Sequence, residues 1–556
     1  MKKIVWLSAI SLVLFLLIHT TGCNSFASGK FKRIFIKQDT AIYLPQQYST
    51  LLLDSNSLKK FIHKDTTLLP FEEDIVSFYL RRNYQLAWFT ENELTNSASN
   101  FLSILQDYQD HFGDSTLLKP LHEKMFAPGL TENSFFNHNK EIQESLELAL
   151  TTTFFKYANK VYSGTSSDPK DLEWYIPRNK KNYQILLDTL VTAPASYQIY
   201  EPVNDYYKSL KVALIQYREI EKKGGLPKIS LDRKILKKGD SSEGVIAVEK
   251  YLKITKDYEG SDTISLFSDS LANAVRYFQQ RVGLKETGIV DSITVAEMNE
   301  SIQTRIKKIM LNMERLRWLP DATPDDYILV NIPEYRLHLF EEKKYLWSMN
   351  VVVGNQATAT SVFKGNLSVV SFSPYWRVPE SIIRNEILPQ LKRNPFYLSQ
   401  KNMEAVSSTG KPINTTGINW KKYNTGVPFV IRQKPGASNA LGRVVFYFPN
   451  RFDIYMHDTP AKSFFNETNR AFSHGCIRLA EPKKLAEYLF RKDSTMTSEK
   501  ISELMLAGTE KKISVKPSLP VFICYFTTWV DHDGKLNFRK DIYGLDAKLG
   551  KEVFGW

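Results

Sequence analysis

Cys476 sits in the stretch AFSHGCIRLAEP (471–482) and is one of three cysteines in 556 residues, with Cys23 and Cys524. A thiol attacks a carbonyl only as a thiolate, so it needs a base or a positive field nearby. It also needs donors for the oxyanion it creates. Gly475 lets the backbone turn tightly and approach a substrate closely, and the amides of Gly475 and Cys476 are natural oxyanion donors. Two histidines are candidate bases. His474 is so close in sequence that good geometry is not assured. His457 ends the strand-like RFDIYMHD, nineteen residues upstream of Cys476. A strand, a loop and a return would bring the two side chains together. Asp458 follows, and either its side chain or its main-chain carbonyl could orient the imidazole. Nucleophile, base and orienter are the parts that cysteine acyl transfer requires. A zinc site on His457, His474 and Cys476 has no obvious fourth ligand and matches no standard spacing, and acyl transfer by a thiol and a base needs no metal and no organic cofactor. Cys524, in the apolar run PVFICYFTTWV, reads as a buried strand residue.

These residues need a scaffold, and the chain is long enough for about two to four domains. After LNMERLRWLP the apolar period changes to two. YILVNIPEYRLHLF alternates through Ile328, Val330, Ile332, Leu337 and Leu339, and WSMNVVVG and RVVFYFPN continue the strand character. Residues 325–530 therefore read as a β-rich domain, interrupted at about 380–430 by a helical, Pro/Asn-punctuated insertion that could form a lid. Upstream, FEEDIVSFYLRRNYQLAWFT places Ile75, Phe78, Tyr79 and Arg82 on one helical face. With ESLELALTTTFFKYANKVYSG, it marks 66–225 as a mostly helical domain. A Gly/Pro/Lys-rich boundary follows. Three short helices then come in succession, the first capped by Asp240 or Ser241, the second by Ser268 and the third by Asp291. Residues 531–556 read as a C-terminal tail.

The N-terminus has Lys2 and Lys3, an apolar run from Ile4 to Ile18, and Gly22-Cys23. This reads as a signal peptide over 1–23, since a membrane span needs about 20 apolar residues. Its end resembles a bacterial lipobox with Cys23 as the lipidated residue, although Thr20 stands where a large aliphatic residue is usual. An uncleaved signal anchor is the alternative. Each of these sends the remainder across the inner membrane. Polar residues 24–65 read as a tether. The formal net charge of +13 suits an anionic partner, but no arginine block, zinc-finger spacing or helix-turn-helix signature points to nucleic acid.

Two stretches resemble known families. LKKGDSSEGVIAVEKYL … LANAVRYFQQRVGLKETGIVDSITVAEMN, over 236–302, resembles the three-helix peptidoglycan-binding module, carried by core and turn residues such as Leu236, Gly239, Val248, Phe278, Gln279, Gly288 and Asp291. A histidine, a loop, then Ser-His-Gly-Cys, a hydrophobic residue and Asn or Arg resembles the L,D-transpeptidase motif. Here that is His457, fifteen intervening residues, and Ser473 to Arg478. SPYWRVPESI (373–382), KPGASNALGRVVFYFPN (434–450), IYMHDTP (454–460) and DIYGLD (541–546) extend the likeness to the large, multidomain L,D-transpeptidases of Gram-negative bacteria.

The resemblance implies a multidomain α+β chain. Its parts would be a β-sandwich-like, mixed-sheet catalytic domain with a capping insertion, a three-helix peptidoglycan-binding module and a helical scaffold. It implies that Cys476 attacks a peptidoglycan tetrapeptide stem, that D-alanine leaves, and that a second stem resolves the thioester into a 3→3 cross-link. His457 would be the base, oriented by the Asp458 main-chain carbonyl. The backbone of His474, Gly475 and Cys476 would form the oxyanion hole. Ser473, Arg478, Tyr455 and Trp376 would serve the substrate groove, a guanidinium suiting a stem carboxylate. Carbapenems would acylate Cys476. The setting would be the periplasmic side of the cell envelope, with other cell-wall synthesis enzymes as further candidate partners. Two other readings stay open: an L,D-carboxypeptidase or cross-link hydrolase, in which water resolves the acyl-enzyme, and a non-catalytic peptidoglycan-anchoring lipoprotein.

Overall fold

The computed structural model describes residues 49–91, 93–125, 140–164, 168–178, 181–193, 201–260 and 266–555. Cys23, the stretch read as a signal peptide and the start of the stretch read as a tether lie outside them. Among the described residues, no helix is long and apolar enough to cross a membrane. The chain divides into two units, one made of residues up to 109 with 114–154 and 187–197, the other of 110–113, 155–186 and 198–556.

The first unit is helical. Ser55–Lys64, Glu72–Arg81, Asn96–Phe112, Leu118–Met125 and Lys140–Ala158 are its main helices, some running past its boundary. Ile75, Phe78, Tyr79 and Arg82 are buried as the three-and-four spacing requires. The first helix falls within the stretch read as tether. Asp54 caps it through the Ser57 amide, and only Leu58 and Ile62 turn inward, a stripe too short to register as a period. At the centre of the unit is a fully buried carboxylate. Glu147 accepts the amides of Ala87 and Trp88 at 2.7 and 3.0 Å and the Tyr79 hydroxyl at 2.9 Å.

In the second unit, helices Glu243–Ile254, Asp269–Arg281 and Ser292–Met298 close around Leu236, Val245, Val248, Leu252, Leu271, Val275, Phe278 and Val290. Ser268 and Asp291 cap the second and third helices through the amides of Leu271 and Thr294. The first is not capped by Asp240 or Ser241. Its N-cap is Ser242, while the Asp240 carboxylate instead accepts the Lys237 amide and pairs with Arg233. Gln279 holds the Gly288 turn by accepting its amide and donating to the Ile289 carbonyl, both at 2.9 Å. Arg281 joins this module to the C-terminal region by pairing with Asp257 and donating to the Leu536 carbonyl.

The β-rich region is built on one nine-stranded mixed sheet. In spatial order its strands are Ala471–Ser473, Lys344–Gly354, Ile477–Leu479, Met456–His457, Val444–Tyr447, Phe363–Phe372, Lys511–Cys524, Tyr327–Asn331 and Arg336–Glu341. Lys344–Gly354 also pairs along Arg336–Glu341, so the sheet closes on itself. Ile328, Val330, Leu337 and Leu339 are fully buried. Cys524 ends a central strand with no exposure, and burial alone pushes its thiol pKa far up.

The insertion is a small body of its own. A four-stranded sheet, in the order Trp376–Arg377, Val430–Gln433, Met403–Val406 and Pro412–Ile413, packs with Ile383, Ile387, Leu388, Leu391 and Trp420.

The stretch read as a tail is integral to the β-rich region. Leu536–Phe538 pairs with Thr528–Val530. Helix Leu545–Phe554 buries Leu545 and Leu549, and Asp541 caps its start through the Leu545 and Asp546 amides. Polar connectors conceal these short elements in the sequence.

Candidate active site

Strand Met456–His457 runs parallel to Ile477–Leu479, pairing Met456 with Ile477 and His457 with Arg478. The Ile477 amide donates to the Tyr455 carbonyl at 3.0 Å, which extends the register back to the Tyr455–Cys476 level. Side chains alternate across a strand. Met456 and Ile477 therefore share the fully buried face, while Tyr455, His457, Cys476 and Arg478 share the other. Two ordinary pieces of sheet thus bring together residues that the sequence separates.

His457 is buried, and its Nδ1 lies 2.5 Å from the Asp458 main-chain oxygen. A carbonyl only accepts, so Nδ1 carries the proton and Nε2 keeps its lone pair. Burial, with the positive charge of Arg478, pulls the imidazole pKa down to about 4. The Asp458 carboxylate does other work: it accepts the Arg443 amide at 2.9 Å and the Lys462 ammonium at 2.7 Å. Gly442 turns beside it with φ +63°, and a Cβ there would overlap the carboxylate.

Cys476 is partly buried, with Sγ 3.7 Å from the Asp453 carbonyl. Burial pushes its pKa up. The Tyr455 amide and hydroxyl and the Arg478 charge oppose that shift, and Asp453 adds to it. At neutral pH the site therefore rests as a neutral thiol and a neutral imidazole. The Asp453 carbonyl is presented by a tight loop in which Asn450 accepts the Phe452 amide and donates to the carbonyls of Phe448 and Ile454. The Phe452 ring packs against Phe363 and against Tyr175, whose amide bonds the Val362 carbonyl at 2.9 Å.

The other sequence candidates are placed as follows. The Ser473 hydroxyl donates to the Cys476 carbonyl at 2.6 Å and accepts the Gly475 amide at 3.2 Å. It orders the turn, and the Gly475 N–H is thereby occupied. Gly475 itself has φ +109°, a conformation that glycine takes readily. The His474 ring turns to Glu386 of the insertion, at 3.3 Å. Trp376 packs on the insertion's own core. Sequence reasoning missed the Asp453 carbonyl, the Asn450 loop and the 354–360 connection behind the turn. Backbone carbonyls leave no residue-type signal, and neither does a threonine whose hydroxyl acts on a carbonyl far along the chain. Among the described residues no cluster of His, Cys, Asp and Glu could hold a metal.

Residues 325–500 match the L,D-transpeptidase catalytic domain family, YkuD. The chain carries an L,D-transpeptidase catalytic domain. Residues 73–214 match a scaffold domain and 241–298 a peptidoglycan-binding domain, so this L,D-transpeptidase domain sits in a multidomain α+β chain. A Haemophilus influenzae protein named "Putative L,D-transpeptidase" is 31% identical over 250 residues. That match takes in 45% of this chain and 50% of the relative, so the chain spans about half the length of the curated relative it matches. Among solved structures, the L,D-transpeptidase of Stackebrandtia nassauensis is 14% identical, with 54% of this chain and 96% of that one covered and a TM-score of 0.22. That of Xylanimonas cellulosilytica is 13% identical, with 53% and 100% covered and a TM-score of 0.18.

Proposed function

We propose that this protein is a peptidoglycan L,D-transpeptidase that forms 3→3 cross-links through a thioester on Cys476. The observation that carries the reading is the shared face of Tyr455, His457, Cys476 and Arg478 on two parallel strands. The neutral imidazole, with Nδ1 held by the Asp458 carbonyl, takes the thiol proton on Nε2 as sulfur bonds to the carbonyl carbon of the stem's third residue. The carbonyl oxygen becomes an oxyanion held at the 474–476 turn by a backbone amide other than that of Gly475, which Ser473 occupies. It collapses as the C–N bond breaks, and D-alanine leaves with the proton from His457. The amine of a second stem then attacks the thioester, His457 accepts the amine's proton, and the thiol is restored. Arg478, a buried-edge cation on the same face, suits a stem carboxylate. The peptidoglycan-binding domain supports peptidoglycan as the substrate. Lipidation of Cys23 would hold the enzyme on the periplasmic side of the envelope.

The test is incubation of the full-length chain with disaccharide-tetrapeptide muropeptides, read by liquid chromatography–mass spectrometry beside Cys476→Ala. Dimers lacking one D-alanine, absent from the variant, are expected. Tripeptide monomers alone would replace transpeptidation with carboxypeptidation. Muropeptides left intact by the wild type would overturn the reading.

A further inference from the structure

The connection between strands Lys344–Gly354 and Phe363–Phe372 lies against the nucleophile turn. Hydrogen bonds join the two. The Thr360 hydroxyl accepts the Gly354 amide at 2.9 Å and lies 2.8 Å from the Gly475 carbonyl. An amide can only donate, so the hydroxyl proton is directed to Gly475 O. One step further back, the Tyr543 hydroxyl donates to the Gly354 carbonyl at 2.5 Å and accepts the Thr360 amide at 3.3 Å. Tyr543 is itself tied down: its amide donates to the Tyr525 hydroxyl at 2.9 Å, which donates to Asp541 at 2.6 Å. A Cβ on Gly354 would overlap the Thr358 carbonyl, so the connection has no slack.

A trans peptide is planar, with its C=O and N–H pointing in opposite directions. Fixing Gly475 O therefore fixes the direction of the Cys476 N–H, away from Thr360. That amide, unlike Gly475's, makes no hydrogen bond among the described residues. The Ser473–His474 peptide, at the start of the turn, is held in the same way, because Ser473 O accepts both the Asn355 amide and the Thr358 hydroxyl at 3.0 Å. An unbonded donor on the nucleophile's own peptide is what an oxyanion requires, provided that the peptide cannot rotate.

We propose that Thr360 is a positioning residue for acyl transfer: its hydroxyl locks the Gly475–Cys476 peptide so that the Cys476 N–H is set to receive the oxyanion. Tyr543 holds Thr360 in turn, which gives the C-terminal DIYGLD element a role in the chemistry. This rests on the reading of Cys476 as an acyl-forming nucleophile.

Two reactions of the same sulfur separate positioning from general structure. Alkylation by iodoacetamide forms a C–S bond with loss of iodide and builds no oxyanion. Acylation by a carbapenem forms a C–S bond at the lactam carbonyl. It passes through an oxyanion and breaks the ring C–N bond, whose nitrogen takes the proton. Both rates are read by intact mass on the full-length chain. In Thr360→Val, alkylation is expected to stay within about twofold of wild type while acylation falls about tenfold or more, the direction seen when oxyanion donors are lost. Thr360→Ser, which keeps the hydroxyl, restores acylation. An unchanged ratio of the two rates in Thr360→Val overturns the proposal, as does an equal fall in both. If Thr360→Val fails to fold, Tyr543→Phe decides by the same ratio. A wild-type Cys476 that is alkylated but acylated by neither carbapenem nor tetrapeptide is a different pattern, and it removes the parent reading.

Discussion

His457 and Arg478 stand opposite one another on neighbouring parallel strands. After burial, that guanidinium is the largest influence keeping the imidazole neutral. The two therefore set the acid limb of catalysis. In the wild type His457 protonates near pH 4, and activity is expected to persist well below the ordinary histidine range. Arg478→Gln removes one of the two causes, so the acid limb should move toward higher pH. Titration of the imidazole by NMR checks this. A limb that stays in place would mean that burial alone sets the value.

A depressed histidine also couples the fold to pH. His457 unfolds to an ordinary group of about 6.5 and folds to one of about 4. Between these values the unfolded chain binds more protons, so stability falls as pH falls through that window. The full effect is on the order of 3 kcal/mol, at about 1.4 kcal/mol per pKa unit. His457→Gln should erase that slope. The measurement is denaturant unfolding of wild type and variant from pH 7 to pH 4, and parallel curves would contradict the expectation.

Asp458 separates main chain from side chain. Its carbonyl faces His457 Nδ1, while its carboxylate binds the Arg443 amide and Lys462. Asp458→Asn keeps the carbonyl and one acceptor oxygen. Its transpeptidation rate should fall less than about tenfold, with a stability loss of about 1 kcal/mol. Gly442→Ala pushes a Cβ into the Asp458 side chain at φ +63° and should harm both activity and stability more. Steady-state rates on tetrapeptide substrates compare the two variants.

How much of this was legible beforehand depended on whether the information was local. The approach of His457 to Cys476 was readable from residue type and one return of the chain, whereas the register that sets Tyr455 beside Cys476 and His457 beside Arg478 was not. The three-helix module was readable because Val245, Val248, Leu252, Val275 and Phe278 repeat at helical spacing and turn into one core. The Ser55–Lys64 helix and the Leu545–Phe554 helix were not. Each presents two principal inward apolar residues, and each is held by a side-chain cap whose acceptor looks like any loop aspartate. Thr360 was invisible for a different reason. Its effect is on the carbonyl of a residue 115 positions away, and no periodicity encodes that.

Glu147 gives the first unit the opposite pH sign from His457. Its carboxylate is fully buried among Tyr79, Ala87, Trp88 and Thr151, and burial raises its pKa to about 7 despite the two amides and the hydroxyl that favour the anion. The unfolded carboxyl titrates near 4.5, so between 4.5 and 7 the folded state binds more protons. Stability from this group is present below that window and is lost as pH rises through it. Replacing the acid does not rescue the unit. Glu147→Gln turns an NH2 group toward one of the amides it must accept, leaving that donor unsatisfied at a cost of about 1–3 kcal/mol. The expected outcome is a lower unfolding midpoint at every pH, with the acid-to-neutral slope removed. Hydrogen exchange at the Ala87 and Trp88 amides reads this locally. Protection there that survives the substitution and does not change between pH 5 and pH 8, after correction for intrinsic exchange, would show that the carboxylate is not what holds those two residues.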